Sequence, residues 1–173
     1  MDKGGEIQIY DNPTYNAVYK TSSPESDVCT TDTPTKNNYM VTKTASGYTV
    51  NYNYKATEYY DTAGKLYKIV SKGGLTTLLA YPNGNTVKII DEISGRYILL
   101  SKDAQGRITS IADNARRTCT IEYTGSFHTS ITDENGNILT YQYNDKGQVE
   151  RGFDHTGTAY FTNTYESIGR VVS

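Results

Sequence analysis

Long hydrophobic runs are missing from this sequence. The longest apolar stretches reach only four residues, as in LLAY at 78–81, whereas a membrane-spanning helix needs about 20. The first residues, MDKGGEIQIYDN, mix charges of both signs and lack the apolar core of a secretory signal peptide. We therefore expect no membrane span, and we expect any export signal to lie outside this sequence.

An excess of charge is also missing, since 17 Lys and Arg stand against 19 Asp and Glu, for a net charge of -2. A nucleic-acid-binding face needs many Lys and Arg contacts to phosphate, and the only adjacent basic pair is Arg116-Arg117. The composition predicts no nucleic-acid partner. The two cysteines, Cys29 and Cys119, lie far apart in sequence and do not form a disulfide framework, so we expect free thiols.

Aliphatic residues are scarce and tryptophan is absent. Leu, Ile, Val and Phe total 32 of 173 residues, while there are 17 tyrosines. Tyrosine buries a ring but keeps its hydroxyl hydrogen-bonded or wet. The composition therefore disfavours a helical bundle with an aliphatic core and favours a sheet whose tyrosines are half-buried and half-solvated.

The first 47 residues differ in composition from the rest. Three of the four prolines (Pro13, Pro24 and Pro34) lie there among Ser, Thr, Asp and Asn, which is typical of loops. The alternating patch EIQIY at 6–10 is a candidate short strand. We predict two regions: an irregular N-terminal region at 1–47, and a regular β-sheet at 48–173.

From residue 48 onward, glycines recur every 10 to 12 residues, with one gap of 19. In that gap DNAR at 113–116 supplies another turn-prone cluster, because Asn and Asp also tolerate left-handed backbone. The glycines predicted to occupy structural turns, in the positive-φ position that glycine accepts without steric cost, are Gly64, Gly84, Gly95, Gly106, Gly136, Gly147, Gly157 and Gly169.

Between these turns lie short alternating runs. CTIEY places Cys119, Ile121 and Tyr123 on one face, and ILTYQYN at 138–144 alternates Leu139, Tyr141 and Tyr143 with polar neighbours. Five to seven residues of strand plus about four of turn account for the interval, as in consecutive antiparallel hairpins. The pattern predicts an all-β sheet of about ten strands, and leaves little room for helix.

Two successive turns make one longer repeat of about 21 residues. The aligned segments are YYDTAGKLYKIVSKGG (59–74), SKDAQGRITSIADNA (101–115), YNDKGQVERGFDHTG (143–157) and YESIGRVVS (165–173). Their common pattern, Y-D-x-x-G-[RK]-[LIV], resembles the RHS or YD repeat over roughly residues 48–173. Ser101 and Glu166 depart from it, and the segment 123–136 is short of consensus.

The resemblance implies tandem antiparallel hairpins in a curved, spiralling open sheet, as part of a hollow shell. It also implies a structural, non-enzymatic role: the shell would enclose or display other domains of a larger secreted or cell-surface protein. The partners implied are the remaining repeats and domains of that parent. Exposed sheet edges would favour self-association.

The residues that could carry chemistry form no constellation. His128 and His155 lack metal-ligand spacing, and no G-x-S-x-G elbow supports a serine hydrolase. DENGN at 133–137 begins like a calcium loop, but position 144 is Asn where the loop needs Glu. We predict no catalytic residues, no metal site and no cofactor. The alternative function is a carbohydrate or cell-surface-binding module, with Tyr141 and Tyr143 as the candidate stacking residues.

Overall fold

The computed structural model describes residues 6–12, 15–21, 28–31, 39–52 and 55–172, with side chains for 40–52 and 55–172. Sixteen β-strands and no helix lie in these residues, and the described part of the chain therefore contains no helix that could span a membrane. Each strand for which pairing is described pairs antiparallel with the next strand in the chain. The predicted all-β fold of consecutive antiparallel hairpins is confirmed.

The first eight strands are β1 (Glu6–Asn12), β2 (Tyr15–Thr21), β3 (Val28–Thr31), β4 (Tyr39–Thr44), β5 (Gly47–Tyr52), β6 (Ala56–Tyr60), β7 (Leu66–Ser71) and β8 (Thr76–Asn83). The second eight are β9 (Thr86–Asp91), β10 (Tyr97–Lys102), β11 (Ile108–Asp113), β12 (Thr118–Thr124), β13 (Phe127–Thr132), β14 (Ile138–Tyr143), β15 (Val149–Phe153) and β16 (Ala159–Thr162).

The chain divides into two compact units. The first consists of Met1–Ala80 and Ile89–Arg96, and the second of Tyr81–Lys88 and Tyr97–Ser173. The first unit contains β1 to β7 in sequence order, the second contains β10 to β16 in sequence order, and β8 and β9 contribute residues to both. The predicted boundary at residues 47 and 48 does not coincide with this division.

The predicted N-terminal region at 1–47, irregular apart from a candidate short strand, contains strands among the residues that the structure describes. Four strands, β1 to β4, lie there, and the patch at 6–10 is part of β1. Their Tyr, Val and Thr residues favour extended backbone, and this preference outweighed the loop-like composition of the whole region. The three prolines lie outside the described residues. From Gly47 onward there are twelve strands, where the pattern predicted about ten.

Little of the molecule is fully buried. Among the described side chains the buried hydrophobic residues are Val41 and Val50, at 0% and 3% exposure, which lie opposite each other on β4 and β5. Most other strand residues are only half-buried. Such a sheet needs few aliphatic side chains, which accounts for their scarcity in the sequence.

The second unit has two chemically different faces. Strands β12 and β14 alternate strictly between half-buried and exposed positions. The half-buried positions and the residues aligned with them on neighbouring strands form the tyrosine face, which we define by Ile98, Ile111, Cys119, Ile121, Tyr123, Ile131, Leu139, Tyr141 and Tyr143. Ile98 is an exposed member of this face, at 46%. The predicted alternation in CTIEY and ILTYQYN is therefore confirmed.

Candidate functional site

The turns share one hydrogen-bonding frame. In the β10–β11 turn, the Asp103 N–H donates to Arg107 O and the Gly106 N–H donates to Asp103 O, at 2.9 and 3.0 Å. Asp103 Oδ1 accepts the N–H groups of Gln105 and Arg107, each at 2.9 Å. The carboxylate thus closes the turn in place of further backbone pairing.

Both main-chain hydrogen bonds of this frame recur in eight turns. They span Asp61–Lys65, Ser71–Leu75, Asp103–Arg107, Asp113–Arg117, Asp133–Asn137, Asn144–Gln148, Asp154–Thr158 and Glu166–Arg170. In six of them an Asp or Asn Oδ1 accepts the second and fourth N–H that follow it. A type I turn followed by a left-handed residue is a common hairpin connection.

Seven of the eight glycines predicted at turns have positive φ: Gly64, Gly95, Gly106, Gly136, Gly147, Gly157 and Gly169, at 67° to 86°. Gly84 lies in the β8–β9 turn but is not among the positive-φ glycines. That turn differs in kind, because Asn83 Oδ1 accepts from the Asn85 N–H and from the Thr86 hydroxyl.

The cluster DNAR forms the turn that the sequence predicted. Asp113 makes the same bonds as Asp103, but the fourth residue of the turn is Arg116 instead of glycine. Arg116 has φ of 66° and is the only non-glycine residue with positive φ in the described part of the chain. Because an L-residue in left-handed backbone is strained, this turn holds a conformation that its sequence disfavours.

Two further glycines, not singled out by the sequence pattern, matter for packing. A Cβ on Gly152 would overlap the ring of Phe161, which lies directly opposite it on β16. A Cβ on Gly47 would overlap the Tyr60 carbonyl oxygen. Neither glycine follows the 10- to 12-residue interval, so only the strand register reveals their role.

In the second unit, one tyrosine in each repeat donates its hydroxyl to a main-chain carbonyl oxygen of a neighbouring part of the sheet, an interaction that we call a tyrosine clamp. The hydroxyls of Tyr123, Tyr143 and Tyr165 donate to the carbonyls of Ile108, His128 and Val149, at 2.9, 2.6 and 2.5 Å. Donor and acceptor lie 15 or 16 residues apart each time. The tyrosines themselves are spaced by 20 and 22 residues, which is the period of the sequence repeat. These rings are therefore structural elements of the sheet.

Neighbouring turns at one end of the second unit contact each other. Arg107 donates from Nη1 to Gly125 O at 2.5 Å, and its guanidinium lies 4.3 Å from the Tyr123 ring centroid. Farther along, Phe127 packs on the Tyr143 ring at 4.7 Å and lies against Gly147. Each repeat is thus held by the next through side chains as well as strand pairing.

Tyr141 lies in a second aromatic group on the tyrosine face. His128 lies 5.1 Å from the Tyr141 ring and 5.8 Å from the Tyr123 ring. A hydrogen bond with Tyr141 raises the pKa of Tyr160, which is 51% exposed. Burial raises the pKa of Tyr143. Of the two predicted stacking residues, Tyr143 is therefore used by the fold, while Tyr141 borders an exposed ring.

The turn carboxylates are held in their charged form. The side chain of Arg117 lowers the pKa of Asp113, and the side chain of Asn137 lowers the pKa of Asp133. The Thr156 hydroxyl does the same for the pKa of Asp154. Hydrogen bonds to a carboxylate favour its ionised form. These shifts have structural causes and do not mark a proton-transfer site.

The remaining candidates for chemistry are dispersed. His155 lies in the β15–β16 turn, at the opposite end of the strands from Ser126 in the β12–β13 turn. Ser130 donates its hydroxyl to Glu122 at 2.9 Å. Within the residues that the structure describes, no three His, Cys, Asp or Glu side chains are grouped to hold a metal ion. Cys119 is a free thiol, and the side chain of Cys29 lies outside the described part.

Comparison with known proteins gives no further identification. No protein-family model matches the chain, and no curated protein matches it. The assignment of a role therefore depends on the geometry of the repeat.

Proposed function

We propose that this chain is a structural, non-enzymatic segment of a repeat shell of the RHS/YD type, and that it encloses or displays other parts of a larger secreted or surface protein. One observation carries the proposal: the eight turns share one frame, and three tyrosine clamps follow at the spacing of the sequence repeat. Polar side chains of these turns make hydrogen bonds that stabilise the sheet.

Turns whose side chains stabilise the sheet are consistent with a scaffold role. In a repeat protein each unit contacts mainly its neighbours, so stability adds up along the chain and further repeats extend the same surface. The contacts of Arg107 with Gly125 and of Phe127 with Gly147 are links of this kind. The partners we propose are accordingly more repeats and the polypeptide that the sheet covers.

The tyrosine face is the surface that we propose meets the enclosed polypeptide. It combines aliphatic and aromatic side chains with few charges, whereas the exposed positions of β12 carry Thr118, Thr120 and Glu122. An unfolded or extended chain can bury apolar groups against such a face. The opposite face carries hydroxyls and charges, and there the Ser130 hydroxyl donates to Glu122.

Site-specific photocrosslinking tests this role. A photoreactive phenylalanine derivative replaces Tyr141 on the tyrosine face or Gln142 on the other face, and an unfolded biotinylated peptide is fused to the chain through a Gly/Ser linker. The linker raises the local peptide concentration to the order of millimolar. We expect adducts from position 141 and few from position 142. Equal adducts from both positions, or none from either, would contradict the proposal.

Glycan binding is the second candidate, favoured by the exposed Tyr160 beside Tyr141. Exposed rings of this kind can stack on sugars. Tyr160→Ala should abolish binding on a glycan array while the fold is retained, whereas Tyr67→Ala, which removes a 39% exposed ring from the first unit, should leave binding intact. No binding by the unmodified protein would exclude this candidate.

Self-association remains a prediction for the sheet edge. Beyond β16, the described residues form a turn at Glu166–Arg170, an isolated bridge between Tyr165 and Val171, and a backbone bond from the Val172 N–H to Thr164 O. No described strand pairs with the outer edge of β16, and an open edge favours another strand. Sedimentation velocity should show oligomers that increase with concentration. A monomer at all concentrations would contradict this prediction.

A further inference from the structure

The tyrosine face contains a groove of about 270 Å³ near the β11–β12 turn. Its apolar lining comes from Ile98, Ile111 and Cys119 of the tyrosine face, together with the adjacent Ala112. The register places Ile111 opposite Cys119, and Ile98 opposite Asp113. The groove is therefore a depression on three adjacent strands of one unit.

A departure from the repeat explains why the groove exists. Cys119 lies four residues before the clamp residue Tyr123, and the corresponding positions before Tyr143 and Tyr165 are Leu139 and Phe161. Cysteine is the smallest of the three. Because Cys119 fills less volume than Leu139 or Phe161, a depression remains in the tyrosine face at this repeat.

The rim of the groove is charged. Asp113 is saturated, because Oδ1 accepts two backbone N–H groups and Oδ2 pairs with Arg117 at 2.5 Å. Glu134 also lines the groove and attracts Arg117 electrostatically, but no hydrogen bond to its carboxylate is found in the described part. The three charged lining residues carry one net negative charge. Just outside the lining, Arg116 and Asp133 have opposite charges that offset each other.

We infer that the groove binds the side chain of a lysine from an extended polypeptide. The methylenes of the lysine lie over Ile98, Ile111 and Cys119, and its ammonium group meets the Glu134 carboxylate. Lysine suits both parts of the groove because it has an apolar stem and a compact charged end. The inference rests on the proposed function, in which a polypeptide covers this face. It specifies one residue type of that polypeptide, a lysine, and the groove that binds it.

Cys119 provides a direct readout, because an occupant of the groove covers its thiol. The unmodified protein is alkylated with uncharged iodoacetamide, and mass spectrometry follows the Cys119 and Cys29 peptides. The probes are n-pentylamine, as its ammonium form, and pentanoate, which has the same chain length and the opposite charge. We expect a millimolar dissociation constant, and about fivefold slower alkylation of Cys119 near saturation with the amine. The Cys29 rate should not change, and pentanoate should protect little.

The charge requirement is tested by Glu134→Gln, which should reduce protection by pentylamine at least to the level seen with pentanoate. Glu122→Gln, on the opposite face, is the matched control and should leave protection unchanged. Equal protection by the two probes, or full protection in E134Q, would overturn the inference. It would also fail if pentylamine gave no protection at all.

A second variant tests the shape of the groove. Cys119→Leu restores the size found at Leu139 and should fill the groove, so that pentylamine no longer shifts the methyl NMR signals of Ile98 and Ile111. Persisting shifts would contradict binding at this position. Crosslinking from position 141 is independent of these probes. If crosslinking is observed but the thiol is not protected, only the inferred lysine site is contradicted. If crosslinking is not observed, the proposed function itself is contradicted.

Discussion

Two turns of the second unit, Asp103–Arg107 and Asp113–Arg117, have nearly the same hydrogen bonds and different fourth residues. Each Asp accepts two backbone N–H groups on Oδ1 and pairs through Oδ2 with the Arg that ends the turn. Gly106 has φ of 82°, and Arg116 has φ of 66°. The frame of hydrogen bonds can therefore impose left-handed backbone on a residue that disfavours it.

The two arginines also differ in what they touch. Arg107 is 31% exposed, and it bonds Gly125 and stacks on Tyr123, whereas Arg117 is 69% exposed. The first turn is thus connected to the next repeat through its arginine, and the second is closed mainly on itself. A repeat can tolerate an unfavourable residue where the local frame is complete.

The largest effect is expected when the glycine turn is given the residue of its counterpart. Gly106→Arg should lower the free energy of unfolding by about 1–2 kcal/mol, because an L-residue must adopt left-handed backbone there. Urea denaturation measures the change. The control Gln105→Arg adds the same charge in the same turn and should have little effect. Equal losses in the two variants would show that charge, and not backbone strain, is responsible.

Replacing each arginine by alanine compares the turn that contacts the next repeat, Asp103–Arg107, with the turn that is closed mainly on itself, Asp113–Arg117. Arg107→Ala should cost about 1 kcal/mol, since it removes a charged hydrogen bond to Gly125 and a cation-π contact with Tyr123. Arg117→Ala should cost less, because its side chain is 69% exposed and its ion pair with Asp113 lies within its own turn. Thermal unfolding of both variants provides the comparison. A larger loss for Arg117→Ala would reverse our interpretation of the two turns.

The converse exchange should stabilise the protein. Arg116→Gly should raise the free energy of unfolding by about 0.5–1 kcal/mol, because relief of strain exceeds the added flexibility of the unfolded chain. Arg116→Ala keeps an L-residue at the position and removes the charge, so it should give no comparable gain. Stabilisation by alanine as large as that by glycine would contradict the strain argument.

The stability of the protein should depend slightly on pH in the acid range, because these turns contain ionised carboxylates that a neutral hairpin lacks. The pKa of Asp113 is lowered by Arg117, and bonds from Arg107 lower the pKa of Asp103 although partial desolvation opposes them. Stability from both groups is complete above the ordinary value of 3.8 and is lost as pH falls through the lowered values. Asp113→Asn should weaken this acid dependence of the urea midpoint. An unchanged acid dependence would exclude a contribution from Asp113.

Much of the fold could be predicted from local chemistry. The glycine interval and the alternation in ILTYQYN predicted hairpins, since turn and strand preferences act over a few residues. The cluster DNAR could be recognised because Asp and Asn favour such turns, although the left-handed residue proved to be Arg116 and not the expected Asn or Asp. The patch at 6–10 was recognised as a candidate strand, but the strands at 15–44 were missed because their loop-like composition masked short runs with strand preference.

The candidate sites depend on register, which the sequence did not reveal. The acceptor of the Tyr143 hydroxyl lies 15 residues away on a neighbouring strand, so its role as a clamp could not be separated from stacking on a ligand. The groove beside Cys119 arises only when β10, β11 and β12 are placed side by side. The role of Gly152 likewise appears only with Phe161 opposite it.

The central claim is that each clamp-to-clamp segment is a module that extends the sheet. Its most direct test inserts a second copy of residues 143–164 between Thr164 and Tyr165, and measures amide hydrogen exchange together with urea unfolding. We predict that amides of the added strands are protected, and that the denaturant dependence of unfolding increases with the added buried surface. An inserted copy that exchanges like an unfolded peptide, with an unchanged denaturant dependence of unfolding, would contradict the account.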